Sequence, residues 1–491
     1  MATEQAPLAP TTPLAPTTPL APITPLAPVT PLALRERGGG EGATGPGLPL
    51  RALHERLTAT LFAPVDPSSL VAYRVVFGLL MMVAVARFFA YGWIHEHYLA
   101  PKVLFPYAGL EWIRPWPGVG MYVHFALMGL GALGITLGVA YRASALTFLL
   151  TFTYAHLIDK TYYLNHYYFI SLAGLLLVAL PLDMKGRSHV PAWWLWLMRA
   201  QVGLVYFFGG VAKLKSDWLV HAQPMKIWLA ASTDLPVLGR LFEQPWAPHA
   251  FSIAGAVFDL CVVPALLWKR TRWLAYAAVV GFHVITRMLF PIGMFPWLMM
   301  AGALLFFPPD WPRRLASWLR REPVKHREPE SPSLPTRHSW LGPALAVAFL
   351  GVQFLLPLRH LLYPGDVMWT EEGFRFSWNV MLMEKNGVAE FHVSEPATGK
   401  RWVVSPGQHL SPYQVKMMAT QPDMLLTFAH YLARHFAEQG HPGVEVRVDA
   451  FASLNGRPRQ RLVDPTVNLA AVGPWDSVHG WVLPFREVAP P

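Results

Sequence analysis

The chain has 491 residues, 53% of them hydrophobic and 14% charged, with a mean hydropathy of +0.31 and a formal charge of +10. Soluble proteins average about 25% charged residues, so this composition describes a multi-pass membrane protein. The single cysteine, Cys261, excludes an intrachain disulfide and a cysteine-based metal site, and the positive excess lies mostly in short loops, which marks membrane orientation and not nucleic-acid binding.

Residues 7–32 repeat Pro-Leu-Ala-Pro-Thr-Thr at a period of six. Such a tract favours polyproline II and has nothing to bury. Residues 1–55 therefore read as a disordered cytoplasmic tail, without the basic-then-apolar opening of a cleavable signal peptide. Apolar stretches follow at 69–91, 118–140, 143–158, 167–182, 192–214, 247–268, 273–290, 292–308 and 341–362. Most approach the ~20 residues of a spanning helix, which gives about nine transmembrane helices. Residues 219–245, with Trp218, Trp228 and Trp246 around them, read as interfacial.

Basic residues set the orientation. Arg35, Arg37, Arg51 and Arg56 precede the first span; Arg142, then Lys185 and Arg187, then Lys269, Arg270 and Arg272 fall in alternate loops. The loop holding Arg313, Arg314, Arg320, Arg321, Lys325, Arg327 and Arg337 is the richest. These loops share the cytoplasmic side, so the N-terminus is inside and the C-terminus outside.

From Gly365 the chain becomes polar and turn-rich. Ala389–Val393 and Lys400–Ser405, separated by Pro396-Ala397-Thr398-Gly399, read as a hairpin. Residues 412–438 have helical periodicity, and Val444–Leu454 runs into the turn Asn455-Gly456. The expected fold is an α-helical multi-pass membrane protein, with residues 56–364 as its transmembrane catalytic domain. Residues 365–491 form a small C-terminal α+β extramembrane domain.

Lys213 ends the apolar run Val205–Leu214. A charge in hydrocarbon costs roughly 2.5–3.5 kcal/mol on insertion scales, which makes an intramembrane lysine a functional candidate. Burial favours the neutral form of an amine, which can then act as a base. Arg199, Tyr206 and Lys213 recur at seven-residue intervals along one helical stripe, beside a small-residue face holding Gly203 and Gly210. The alternative is that Lys213 and Arg199 snorkel to opposite interfaces. Asp159 to Tyr168 form a short outer connection dense in polar groups, Asp259 sits inside the sixth span, and His283 and Arg287 share a face of the seventh. His95-Glu96-His97 offers two metal-ligating side chains but no third histidine at matching spacing, so no metal is assigned.

These residues resemble the vitamin K-dependent γ-glutamyl carboxylases. Val190-Pro191-x-Trp193, Leu197-x-Arg199-x-Gln201 and Val205-Tyr206-Phe207-x-x-Gly210-Val211-x-Lys213-Leu214-x-x-Asp217-Trp218 follow the family pattern without a gap. Leu157-x-Asp159-Lys160-Thr161 with Asn165-His166 matches an earlier block. Phe282-His283 and Leu289-Phe290-x-Ile292-Gly293-Met294-Phe295 match a later one. Trp369-Thr370, Ser377-Trp378 and Met381 lie in a block associated with glutamate binding, and Asp423-Met424-Leu425, Gln460-Arg461 and Asp464-Pro465 extend the likeness.

The resemblance implies carboxylation of protein glutamate residues with CO2 and O2, driven by oxygenation of vitamin K hydroquinone to its epoxide. Lys213 would be the base that starts the chemistry on the hydroquinone. Asn165, His166, Lys160, Tyr206, Gly210, His283 and Met294 would surround that cofactor. Trp369, Phe374, Trp378, Met381 and His360 would bind the glutamate of a protein or peptide substrate. The Ala-, Arg- and Pro-rich composition suggests a bacterial inner membrane, where menaquinol could serve, with the site on the extracytoplasmic side. Three departures stand out: Ala212 replaces a lysine of the animal enzymes, Phe374 and Phe376 replace tyrosines, and the animal enzymes continue into a long lumenal region, so propeptide-directed carboxylation is not implied. Two alternatives remain: a quinol epoxidase without carboxylation, and a non-catalytic lipid-binding protein.

Overall fold

The computed structural model describes residues 48–182, 189–236, 238–290, 292–323, 339–488 and 490. Most of the expected tail lies outside them, as do Lys185, Arg187, Lys325, Arg327 and Arg337; residues 48–55 open a helix, α1 (Leu48–Leu61). The chain divides into two units, Met1–His54 and Glu55–Pro491, and the second holds all the elements after α1.

Four helices pack in sequence order: α2 (Ser68–Ala90), α3 (Val119–Leu137), α4 (Tyr141–Ile158) and α5 (Asn165–Ala179). Small residues set their spacing. A Cβ on Gly78 of α2 would overlap Thr136 Oγ1, and one on Gly131 of α3 would meet the Phe148 backbone nitrogen at 2.8 Å. Such positions let helix backbones approach closely where hydrophobic driving force between helices is absent.

Two short strands, β1 (Pro64–Val65) and β2 (Val190–Pro191), pair antiparallel before α6 (Ala192–Ala212). Three short helices follow, α7 (Ser216–Leu219), α8 (Met225–Ala230) and α9 (Gly239–Phe242), over the segment expected to be interfacial. Trp218 is buried there, donating from Nε1 to Ser252 O at 2.7 Å, whereas Trp246 is exposed. Next come α10 (Ala247–Leu267), α11 (Arg272–Leu289), α12 (Phe295–Ala303) with a 3-10 turn to Phe306, α13 (Trp311–Arg320) and α14 (Leu341–Leu358). Helix α6 packs against α10, α12 and α14. The Arg199 guanidinium on α6 donates to Leu305 O at 2.8 Å and Phe307 O at 3.2 Å, satisfying carbonyls at the end of the α12 segment.

Every apolar stretch of the sequence is helical, as hydrocarbon demands of a backbone that must pair internally. Among the described residues, five helices are long and apolar enough to cross a membrane: α2, α3, α6, α10 and Leu341–Leu362. The nine expected spans are thus nine helices, of which four fall short of that standard. Helix α5, with 15 residues, rises about 22 Å against ~30 Å of hydrocarbon.

The C-terminal domain begins with α15 (Val367–Thr370) and a four-stranded antiparallel sheet, order β4-β3-β5-β6. Its strands are β3 (Lys385–Ser394), β4 (Arg401–Val404), β5 (Glu445–Leu454) and β6 (Gln460–Arg461). The expected hairpin is present, with Ser394 opposite Arg401. Asn455 and Gly456 both take left-handed φ, 52° and 79°, although β6 resumes pairing only at Gln460. The helical periodicity expected over 412–438 is carried by two helices, α16 (Pro412–Met418) and α17 (Pro422–Glu438). Pro422 supplies no N–H to continue the first helix, and Ser411 with Gln414 forms a capping box at its start. Val446, Val448, Ala450, Ala452 and Leu454 alternate onto the buried face of β5, and α17 covers that side of the sheet, Phe428 meeting Phe391 edge-on at 4.9 Å.

Candidate functional site

Lys213 stands directly after α6, its side chain 7% exposed. Its Nζ lies 2.7 Å from Asp259 Oδ2 on α10 and donates to Gly209 O at 3.1 Å. An ammonium carries three donors, so one remains for a ligand. The Trp218 ring centroid is 5.4 Å from Nζ. The close approach of α6 and α10 depends on Gly210, where a Cβ would meet Leu260 side-chain carbons at 2.7 Å. Gly210 therefore acts on helix spacing, and Gly209 is the α6 glycine that lines the cavity.

That cavity has a volume of about 320 Å³ and is walled by Phe258, Phe282, Phe295, Trp228 and Leu289, among others. Its titratable lining comprises Tyr206, Lys213, Asp259 and His283. The Tyr206 hydroxyl is 2.9 Å from His283 Nε2, and His283 Nδ1 is buried without a hydrogen-bond partner among the described residues. Two polar pairs thus face a single apolar chamber. Val380 and Met381, from the C-terminal domain, close one side of it.

His166 and Met294 line a different cavity of about 360 Å³, walled by α2 to α5 and also reached by His97, His156 and Tyr167. The two chambers adjoin at Phe295, whose ring centroid is 6.2 Å from His283 and 6.0 Å from His166. His97 of the His-x-His pair is stacked on Tyr162 at 4.1 Å, and burial pushes its imidazole down to about 4. Asn165 joins neither cavity. It donates to Asn379 O at 3.2 Å and accepts from the Tyr163 hydroxyl at 3.0 Å, tying the start of α5 to the 376–381 segment.

Lys160 is not brought to Lys213. Its ammonium makes an ion pair with Asp423 Oδ2 at 2.9 Å, and Arg375 contacts the same oxygen at 2.8 Å. Burial pushes Lys160 down and would raise Asp423, but Arg375 and Lys160 hold the Asp423 carboxyl well below the ordinary range. Asp159 next door is pushed up to about 6 by burial, against hydrogen bonds from Thr161.

The residues expected to bind glutamate are dispersed. Met381 reaches the Lys213 chamber. Trp369 and His360 line a neighbouring open cleft of about 960 Å³ that shares Trp218 with the chamber, and Trp369 donates to Leu483 O at 2.8 Å. Trp378 is fully buried beside Tyr168, and Phe374 packs on the C-terminal core. Glu371, Phe376, Trp378 and Met381 all take left-handed φ between 54° and 62°, a costly backbone that persists only where surroundings enforce it. The enforcing contacts are the Glu371–Lys385 ion pair at 3.1 Å, Arg359 on the Arg375 carbonyl, and Arg375 on Gln421 and Asp423.

Asp259 was legible in the sequence as an intramembrane acid, but not as the partner of Lys213. The signal for the pairing was two opposite charges inside apolar stretches, since an isolated one would be far more costly.

Comparison with known families divides the chain in two. The HTTM domain model matches residues 62–311, and the model of the vitamin K-dependent gamma-carboxylase lumenal domain matches residues 339–488. No solved structure matches the chain.

Proposed function

Because the chain belongs to the vitamin K-dependent γ-glutamyl carboxylase family, we propose that it fixes CO2 on the γ-carbon of protein glutamate residues while a vitamin K-type hydroquinone is oxygenated to its epoxide. The observation that carries this reading is Lys213 and Asp259, side chains 7% and 9% exposed, paired at 2.7 Å in the wall of an apolar chamber. Buried ionisable groups of this kind mark functional sites.

The chamber fits a flat, apolar ring system with two oxygens. Aromatic walls would take its faces, and the third Lys213 donor is a polar group left to meet one of its oxygens. When bound, the hydroquinone reacts with O2 and supplies a base strong enough for a γ-C–H that no side chain can deprotonate. The protein's residues serve that chemistry. Lys213 takes a hydroxyl proton at Nζ, Tyr206 and His283 orient the ring system, and the aromatic walls keep water from quenching the base. Val380 and Met381 bring the C-terminal domain into the chamber wall, so the glutamate is presented from that side.

In this reading the nine apolar helices together form the membrane domain of residues 56–364. The N-terminus is cytoplasmic, residues 365–491 are extracytoplasmic, and menaquinol of a bacterial inner membrane is the natural quinol. The test supplies purified protein with vitamin K hydroquinone, O2, labelled bicarbonate and a glutamate-containing peptide, then measures epoxide and fixed label separately. Both products are expected. Epoxide without label would reduce the reading to quinol oxygenation, and neither product would leave a lipid-binding protein.

A further inference from the structure

We propose that Asp259 is a positioning residue that stores the proton taken up by Lys213, so that the two side chains work as one proton-accepting unit. The inference rests on the reading of Lys213 as the base. Its own support is geometric: Nζ to Oδ2 is 2.7 Å, both side chains are buried, and they come from helices held together at Gly210. A lysine paired this closely with a carboxylate is not a free amine. At rest Nζ donates to Oδ2, an ammonium against a carboxylate, so the pair holds one acidic proton and is neutral overall.

Protons and charge balance across the two transfers. The hydroquinone O–H bond breaks and an N–H bond forms at Lys213 Nζ, while an Nζ–H bond breaks and an O–H bond forms at Asp259 Oδ2. The pair gains one proton and one positive charge. Lys213 ends as an ammonium facing the deprotonated oxygen, and Asp259 ends as a neutral acid behind it. Without Asp259, the same ammonium would have only Gly209 O and the ligand as partners.

Among the described residues, no other carboxylate lines this chamber. Tyr206 on α6 and His283 on α11 are its remaining titratable groups and face each other at 2.9 Å. The lining contributed by α7, α8, α12 and residues 380–381 is non-titratable. Asp217, four residues beyond Lys213, is occupied by Arg457 at 2.5 Å.

The test uses the purified full chain and vitamin K hydroquinone under anaerobic conditions, followed by difference infrared spectroscopy. Binding should produce the carbonyl band of a protonated carboxylic acid. That band should move in Asp259→Glu and vanish in Asp259→Asn. No acid band in the wild-type protein would overturn the inference. In aerobic assays Asp259→Asn should lower the epoxidation kcat about 100-fold, the scale of a lost acid–base partner, with little change in hydroquinone KM, and Asp259→Glu should recover part of it. A folded Asp259→Asn that kept its kcat would also overturn the inference. A purely structural role would raise KM and gain nothing from glutamate. If Asp259→Asn does not fold, the wild-type band and its displacement in Asp259→Glu decide the matter. The infrared measurement needs neither CO2 nor peptide, so failure to fix CO2 would sink the carboxylase reading alone.

Discussion

Lys160 and Asp423 are 263 residues apart in sequence, and their charged groups meet at 2.9 Å. This contact clamps the loop before α5 to the start of α17. Asp423→Asn would leave the Lys160 ammonium and the Arg375 guanidinium without their shared carboxylate. Losing one partner of a fully buried pair costs about 3–5 kcal/mol; with the Asp423 side chain 40% exposed, about 2 kcal/mol is expected. The Asp423 carboxyl is held below its ordinary value of 3.8. Its contribution is therefore complete above that value and lost as pH falls through the folded one. Thermal unfolding in detergent should show the loss, and the variant should show a weaker acid dependence.

Asp159 has the opposite sign. Burial raises its carboxyl from 3.8 to about 6, so ionisation is less favourable in the fold than in the unfolded chain. The cost is absent below the unfolded value and grows as pH rises to about 6, reaching about 3 kcal/mol. Asp159→Asn should flatten the decline of the unfolding midpoint over that window. An unchanged slope would show that another group carries it.

Lys213→Ala should abolish epoxide and carboxylated product together, a loss of about 10²–10⁴-fold, and a small added amine should restore part of both. Full epoxidation by the variant would refute the assignment of the base.

Gly210→Ala tests the spacing of α6 and α10. The new methyl would sit 2.7 Å from Leu260 carbons, an overpacking expected to cost about 1–3 kcal/mol. Epoxidation should fall with it, because the same displacement separates Lys213 from Asp259. Stability and rate measured on one preparation check the link.

Tyr206→Phe removes the hydroxyl beside His283 Nε2, leaving both ring nitrogens of that histidine without a partner among the described residues. A stability loss of about 1–3 kcal/mol is expected, together with a raised hydroquinone KM. A variant with normal KM would remove Tyr206 from the chamber's orienting groups.

The helices were legible because hydrocarbon allows only one way to satisfy a backbone, so every apolar run became one. The β3–β4 hairpin was legible from its turn residues. What composition could not give was pairing across the chain. Asp259 and Lys213 are 46 positions apart, and nothing in either local pattern says that their helices touch. Lys160 was a cofactor-ligand candidate through the family resemblance of its block, yet its partner lies on α17. His166 and Lys213 converge on one region of the fold, but hydropathy carries no information about a wall between them. The break at Pro422 was visible in the sequence, and the amphipathic periodicity on either side concealed it.

Phe295 lines the Lys213 chamber and packs against both His283 and, from the neighbouring chamber, His166. Neither the Lys213–Asp259 pair nor the Tyr206–His283 pair draws a hydrogen bond from it. Part of the chamber wall is therefore a side chain outside the proton chemistry. Over generations, a single codon could retune which tail length or ring size the protein accepts, while the reactive groups stay where they are.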